Sequence, residues 1–227
     1  NDPTVELNPN LSWEVNVLAS KRIAEYAIKN KVKKLIFFSS GSVYGVKKEK
    51  KVTENLKLNP ISVYNKTKMI AERVFLSYKD KLNVLCLRPA TVCGVSNRLR
   101  LDVTVNKLTF DAFFKKKIFV DGGKQVRPNI HLEDIVRIID HFALTKKKFK
   151  HNIYNIGFEN LSILQIAKKI QKKLNVKILI NKAKDIRSYR QDSSRLLRTG
   201  FKPKYNVDYA INQLINSISF AIIFLRI

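Results

Sequence analysis

Glycine is scarce in this sequence, with 7 residues in 227, and none precedes Gly41. A G-x-G-x-x-G turn uses glycine to turn tightly and to bring backbone N–H groups against a pyrophosphate. Residues 1–40 therefore hold no such cradle. Cysteine is nearly absent as well. Cys86 and Cys93 have neither CxxC nor metal-ligand spacing, so they read as reduced core thiols of a cytoplasmic protein, which argues against a disulfide framework. The 6 prolines mark no linker or low-complexity segment. The apolar tail Phe220-Ala221-Ile222-Ile223-Phe224-Leu225 is far shorter than the ~20 residues that span a bilayer. It is expected to be a buried edge strand, a frayed end or an exposed sticky patch.

Acidic residues are the other shortage. Eighteen Asp and Glu face 44 Lys and Arg, giving a formal charge of +26. Such charge suggests a nucleic-acid or other polyanion partner, but no RNP, KH or helix-turn-helix pattern accompanies it. The lysines are spread along the whole chain, with Lys168, Lys169, Lys172 and Lys173 on the outer face of one predicted helix. They read as surface charge that attracts anionic substrates. A basic polyanion-binding protein stays open as an alternative, as does a remnant that binds without catalysing.

What is present alternates. Val17, Leu18, Ile23, Ala24, Ala27 and Ile28 form a helical stripe over Asn16–Lys29. Leu35-Ile36-Phe37-Phe38 is a continuous apolar run of the kind a buried parallel strand shows. A second helix is predicted from Tyr64 to Tyr78, and a second buried strand over Val84–Leu87, stopped by Arg88-Pro89. This order implies a parallel α/β sheet with right-handed crossovers. Ligands of such sheets sit beyond the carboxyl ends of the strands, where Ser40 and Ala90-Thr91 fall. Further on, helices are predicted over Thr104–Lys116, Leu132–Leu144, Ser162–Leu174 and Val207–Ile218. Strands are predicted over Lys117–Val120, Asn152–Ile156 and Val176–Ile180.

The chemistry concentrates in Tyr64-Asn65-Lys66-Thr67-Lys68, which follows Ser39-Ser40-Gly41-Ser42-Val43-Tyr44-Gly45. A tyrosine and a lysine at i and i+4 share a helix face. Beside a serine at a strand end they can run hydride-transfer chemistry, the ammonium favouring phenolate and the serine bonding the reacting oxygen. Bringing a phenol from about 10 to about 7 takes roughly 4 kcal/mol of differential stabilisation. His131 reads as structural, and His141 and His151 as lone side chains. Tyr44 is open between packing and substrate contact.

In this order the motifs resemble the extended short-chain dehydrogenase/reductases, the NAD-dependent epimerase/dehydratase family acting on nucleotide sugars. The resemblance runs from about Asn16 to Pro203. It includes Thr53-Glu54, Pro60, Glu72, the stretch from Leu87 to Gly94, Gln125–Asp134 and Ile153-Tyr154-Asn155-Ile156-Gly157. It implies a Rossmann-like doubly wound parallel sheet lacking its first βαβ units, because the glycine turn is absent, with a small C-terminal α/β substrate lobe. Residues 1–103 would be the cofactor-binding part with the catalytic motif, and 104–227 the interleaved substrate lobe.

The resemblance further implies that Ser40, Tyr64 and Lys68 are catalytic. Asn16, Ser39, Tyr64, Lys68, Ala90 and Val92 would face the cofactor, NAD or, not distinguished by these residues, NADP. Ser40, Thr91, Asn106 and Arg127, with Lys182 and Arg187, would face the substrate, Arg127 through charge-assisted bonds to its diphosphate. A homodimer is expected of the full-length protein, without metal, membrane or nucleic-acid partners. Gly41-Ser42 replaces the acidic pair of the dehydratase branch, which favours epimerisation.

Overall fold

The computed structural model describes residues 2–146, 149–182 and 188–224. In chain order its elements are α1 (Asp2–Leu7), α2 (Pro9–Trp13), a π-helical turn (Glu14–Leu18), α3 (Ala19–Lys29), β1 (Leu35–Phe38), a 3₁₀ turn (Gly41–Tyr44), α4 (Val63–Leu76), β2 (Val84–Pro89) and β3 (Thr91–Cys93). There follow α5 (Thr104–Lys115), β4 (Lys117–Asp121), β5 (Val126–His131), α6 (Leu132–Leu144), β6 (Ile153–Ile156) and β7 (Glu159–Ser162). The chain continues through α7 (Ile163–Leu174), β8 (Lys177–Asn181), α8 (Ser194–Leu197) and α9 (Val207–Phe224). The chain divides into two compact units, each built from separated segments: residues 1–90, 139–156 and 191–201, and residues 91–138, 157–190 and 202–227.

In the first unit β1, β2 and β6 form a sheet in the order β1-β2-β6, with both pairings parallel. The parallel sheet expected from the β-α-β order is therefore present. Leu35 pairs with Val84 and Cys86 with Ile153. Val84, Cys86, Phe75, Leu82, Ala24 and Ala27 form one buried cluster, against which Phe37 and Ile153 pack. The small Ala24 and Ala27 on α3 permit close approach, and Phe37 meets Phe75 of α4 at a ring separation of 4.7 Å. The second unit holds a sheet of order β3-β5-β7, parallel then antiparallel, and a parallel pair β4-β8. Its core gathers Val105, Leu108, Ile118, Val120, Ile166, Ile170, Ile211 and Leu214.

Three expectations are corrected. The second strand is not stopped by Arg88-Pro89 but runs through Pro89. Arg88 can remain in the sheet because Glu72 neutralises it, and the final rung is made by the Ala90 N–H on the Ile156 carbonyl at 2.8 Å. The helix expected from Asn16 begins instead as a π-helical turn and becomes α-helical at Ala19. The apolar tail is no edge strand. It continues α9 to Phe224, with Phe220 exposed, because an unbroken apolar run can serve a helix as readily as a strand.

Candidate active site

Ser40 lies just past β1 in extended backbone, φ −156° and ψ 143°, and its Oγ accepts the Ser42 N–H at 3.2 Å. A polar side chain at this position caps the short 3₁₀ turn Gly41–Tyr44 as an N-cap serine does. The turn closes on Gly45, which has φ +68° and would bring a Cβ within 2.1 Å of the Asn59 carbonyl oxygen. Only glycine fits there. Tyr44 is fully buried, so the question of substrate contact or packing resolves to packing.

The Tyr44 hydroxyl joins a buried polar network. It donates to Asn155 Oδ1 at 2.8 Å and accepts from Arg88 Nη1 at 2.7 Å. Arg88 meets Glu72 through two parallel bonds of 3.0 and 2.5 Å, a charge-assisted fork. Asn155 donates its N–H to Glu54 Oε1 at 2.8 Å and its amide to the carbonyls of Val52 and Asp192. Gln191 donates to the Arg88 carbonyl at 2.6 Å. Burial pushes the Tyr44 phenol up to about 12, against the opposing pull of Arg88, so it stays a neutral donor throughout the ordinary pH range. This network anchors the back of the serine loop to β2, β6 and α4.

Helix α4 begins at the Ser62 cap, whose Oγ accepts the Asn65 N–H at 3.2 Å. Tyr64 sits in its first turn and Lys68 one turn on. Burial holds the Lys68 ammonium down to about 8, opposed by the fields of Cys86 and Glu72. The ammonium lies 4.3 Å over the Phe37 ring, and among the described residues no carboxylate forms a salt bridge with it. Thr67 donates to the Tyr64 carbonyl at 2.9 Å and accepts from Asn16 Nδ2 at 3.1 Å. The π-helical turn thus delivers Asn16 to the helix that carries Tyr64 and Lys68, in keeping with the frequent occurrence of such turns at functional sites.

The serine loop and α4 are joined directly. Ser42 Oγ donates to Asn65 Oδ1 at 2.5 Å and lies 2.7 Å from Ser40 Oγ. Sequence reasoning assigned neither Ser42 nor Asn65 a role. The available signal was two polar residues beside the motif serine and tyrosine, and Asn65 proves fully buried. Ser39 Oγ is also buried, with no hydrogen-bond partner. The structure thus gathers Asn16, Ser40 and Lys68 around α4 and the end of β1, all within the first unit, as is Ala90 at the end of β2.

The other expected site residues lie in the second unit. Thr91 and Val92 stand on β3, paired with Asn129 and Ile130. Arg127 is half-buried on β5. Asn106 is buried and spends its amide inside the protein: Oδ1 accepts the Gly94 N–H at 3.1 Å, and Nδ2 donates to the carbonyls of Gly94 and Arg100 at 3.1 and 3.0 Å. Lys182 is exposed just after β8, and Arg187 lies outside the described residues. His131 accepts the Glu133 N–H at Nδ1 and faces Gln213 Oε1 from Nε2 at 3.2 Å. Burial lowers its pKa against the pull of Gln213. Among the described residues no three His, Cys, Asp or Glu side chains gather as a metal site, and no helix is long and apolar enough to cross a membrane.

A parallel sheet with a serine just past the end of β1 and a tyrosine and lysine on the helix between β1 and β2 places the chain among reductase-like α/β proteins. Residues 2–157 match the NAD dependent epimerase/dehydratase family, and the chain belongs to that family. It is 31% identical over 164 residues to the UDP-glucose 4-epimerase of Lactobacillus helveticus, a match covering 61% of this chain and 49% of that protein. It is 29% identical over 194 residues to UDP-glucose 4-epimerase 4 of Oryza sativa subsp. japonica, covering 75% and 52%. Among solved structures, MoeE5 in complex with UDP-glucuronic acid and NAD superposes with a TM-score of 0.79 at 25% identity, covering 91% of this chain and 71% of MoeE5. The chain spans about half the length of these two curated relatives.

Proposed function

We propose that this chain carries the catalytic and substrate-recognising portion of an NAD-dependent nucleotide-sugar epimerase. The observation that carries the reading is Lys68. A half-buried ammonium with no salt-bridged carboxylate among the described residues is costly, and it stands one helical turn from Tyr64. Such uncompensated groups cluster at functional sites. A unit charge brought to within about 4 Å at an effective dielectric of ~20 is worth about 4 kcal/mol, as much as Tyr64 needs to ionise near neutral pH. Tyr64 then takes the proton from a sugar hydroxyl, Ser40 bonds the same oxygen, and Lys68 holds the phenolate.

The residues fit the nicotinamide-ribose end of NAD, since the buried, unpartnered Ser39 Oγ and the Lys68 ammonium both offer polar groups there. The pyrophosphate end finds no glycine turn in residues 1–40. When bound, NAD supplies the hydride acceptor. Homology to UDP-sugar epimerases supports a UDP-hexose as substrate, and Gly41-Ser42 in place of an acidic pair supports epimerisation over dehydration. In the second unit Arg127 is the residue we assign to the diphosphate. Leu11, Val15, Leu18 and Tyr26 are exposed along the N-terminal helical segments, apolar surface that supports a homodimer.

The test is NAD binding by calorimetry together with interconversion of UDP-glucose and UDP-galactose. Tyr64→Phe should lower kcat by about 10²-fold or more with KM within about threefold. Turnover indifferent to Tyr64→Phe would overturn the reading, whereas a folded sample that ignores NAD would mean that the cofactor cradle lies outside these residues. Steeply salt-dependent binding to nucleic acid with no response to Tyr64→Phe would favour a polyanion-binding protein instead.

A further inference from the structure

We infer that Ser42 and Asn65 are positioning residues that set the direction of the Ser40 hydroxyl, an inference that rests on the epimerase reading above. The argument is one of proton counting. The 2.5 Å separation between Ser42 Oγ and Asn65 Oδ1 suits an O–H···O bond and is too short for an N–H···O bond. An amide oxygen only accepts, and a serine has a single proton to give. Ser42 therefore spends its proton on Asn65. The 2.7 Å contact between Ser40 Oγ and Ser42 Oγ can then be made only by the Ser40 proton.

Ser40 is left with a defined polarity. Its proton points at Ser42, one lone pair accepts the Ser42 N–H at 3.2 Å, and the other lone pair remains. Before substrate arrives, the Ser40 proton is held in a hydrogen bond to Ser42. A sugar hydroxyl has one proton and gives it to Tyr64, so its oxygen accepts, and Ser40 turns its proton from Ser42 to that oxygen and keeps it there when the oxygen becomes the ketone. Ser42 is the acceptor that holds the Ser40 proton whenever no substrate oxygen is present. The relay also ties the serine loop to the residue after Tyr64, so the two groups that share one substrate oxygen keep a fixed relation. Asn65 is fully buried, which fixes the acceptor end.

A double-mutant cycle tests this, with Tyr64→Phe run alongside. Ser42→Ala should lower kcat about tenfold with KM within about twofold, as expected for loss of one orienting bond. Ser42→Thr, which keeps the hydroxyl, should recover kcat to within about threefold. In a Ser40→Ala background Ser42→Ala should change kcat by less than about twofold, because it acts only through Ser40. Independently of turnover, a neutron structure of the protein should show the Ser40 proton directed at Ser42 Oγ and the Ser42 proton at Asn65 Oδ1. An equal loss in both backgrounds, an effect confined to KM, or a Ser40 proton directed away from Ser42 would each overturn the inference. If Tyr64→Phe leaves turnover intact, the epimerase reading fails, whereas loss with Tyr64→Phe but not with Ser42→Ala fails the relay alone.

Discussion

Replacing Tyr44 by phenylalanine removes one oxygen from a site with no access to water, and the structure allows the cost to be worked out. Asn155 Oδ1 loses its 2.8 Å donor. Arg88 Nη1 loses its 2.7 Å acceptor and keeps only the Glu54 carbonyl at 3.5 Å. Each buried polar group left unsatisfied costs about 1–3 kcal/mol, with the charged one at the upper end. A loss of about 3 kcal/mol is expected, while the ring itself still fills its place. With a urea m-value of about 1.5 kcal/mol/M, this moves the unfolding midpoint down by about 2 M. Trp13, the single tryptophan, belongs to the same unit, so its fluorescence reports the transition that matters. Because burial holds the phenol at about 12, the loss should be the same at pH 6 and pH 9. A midpoint shift below about 0.5 M, or one that varies across that range, would refute the view that this hydroxyl links Arg88 to Asn155.

Other perturbations have equally definite outcomes. Lys68 titrates near 8 in the folded chain and near 10.5 when unfolded, so between these values the unfolded state holds more protons and stability rises with pH, by about 3 kcal/mol for the full interval. Urea titrations of wild type and Lys68→Met should differ by this rise, and parallel curves would contradict it. Gly94→Ala places a Cβ 2.7 Å from His131 Nε2 at φ +111° and should lower the melting temperature by several degrees, a loss of at least about 1 kcal/mol. Arg127→Leu should raise KM for UDP-glucose about tenfold or more with little change in kcat, measured by initial rates, if it holds the diphosphate.

The parts of the fold legible in the sequence are those whose signal is local. Leu35–Phe38 was legible from its continuous apolar run, and its bounds in the structure are the same four residues, although it is half-buried and not buried as expected, because it lies at the edge of its sheet. Helix α7 carries its Ser162 cap and Gln165 return bond within four residues, and its predicted span holds to one residue. Strands β3, β5 and β7 were not legible. Val126–His131 reads V-R-P-N-I-H, with no alternation, and is a strand because Thr91–Cys93 and Glu159–Ser162 pair with it from distant segments. The candidate site divides in the same way. Tyr64 and Lys68 could be named from spacing and Ser40 from the family resemblance, whereas the bond from Ser42 to Asn65 spans 23 residues. Arg88 gave the opposite signal, a charge expected to end a strand, because Glu72 that neutralises it lies 16 residues away on another element.

The discontinuous build of the first unit has a consequence for its synthesis. The strand β6 that completes its sheet arrives only with residues 153–156, and the Gln191 that holds the Arg88 carbonyl comes later still. As the chain leaves the ribosome, residues 1–90 emerge with β1 and β2 formed at best as an open pair, and with Arg88 and Tyr44 still waiting for Asn155. Closing these contacts requires looping out an intervening stretch, which slows folding as sequence separation grows. The nascent first unit therefore stays incomplete until residues 191–201 have been made, and until then part of its core lacks the segments that cover it.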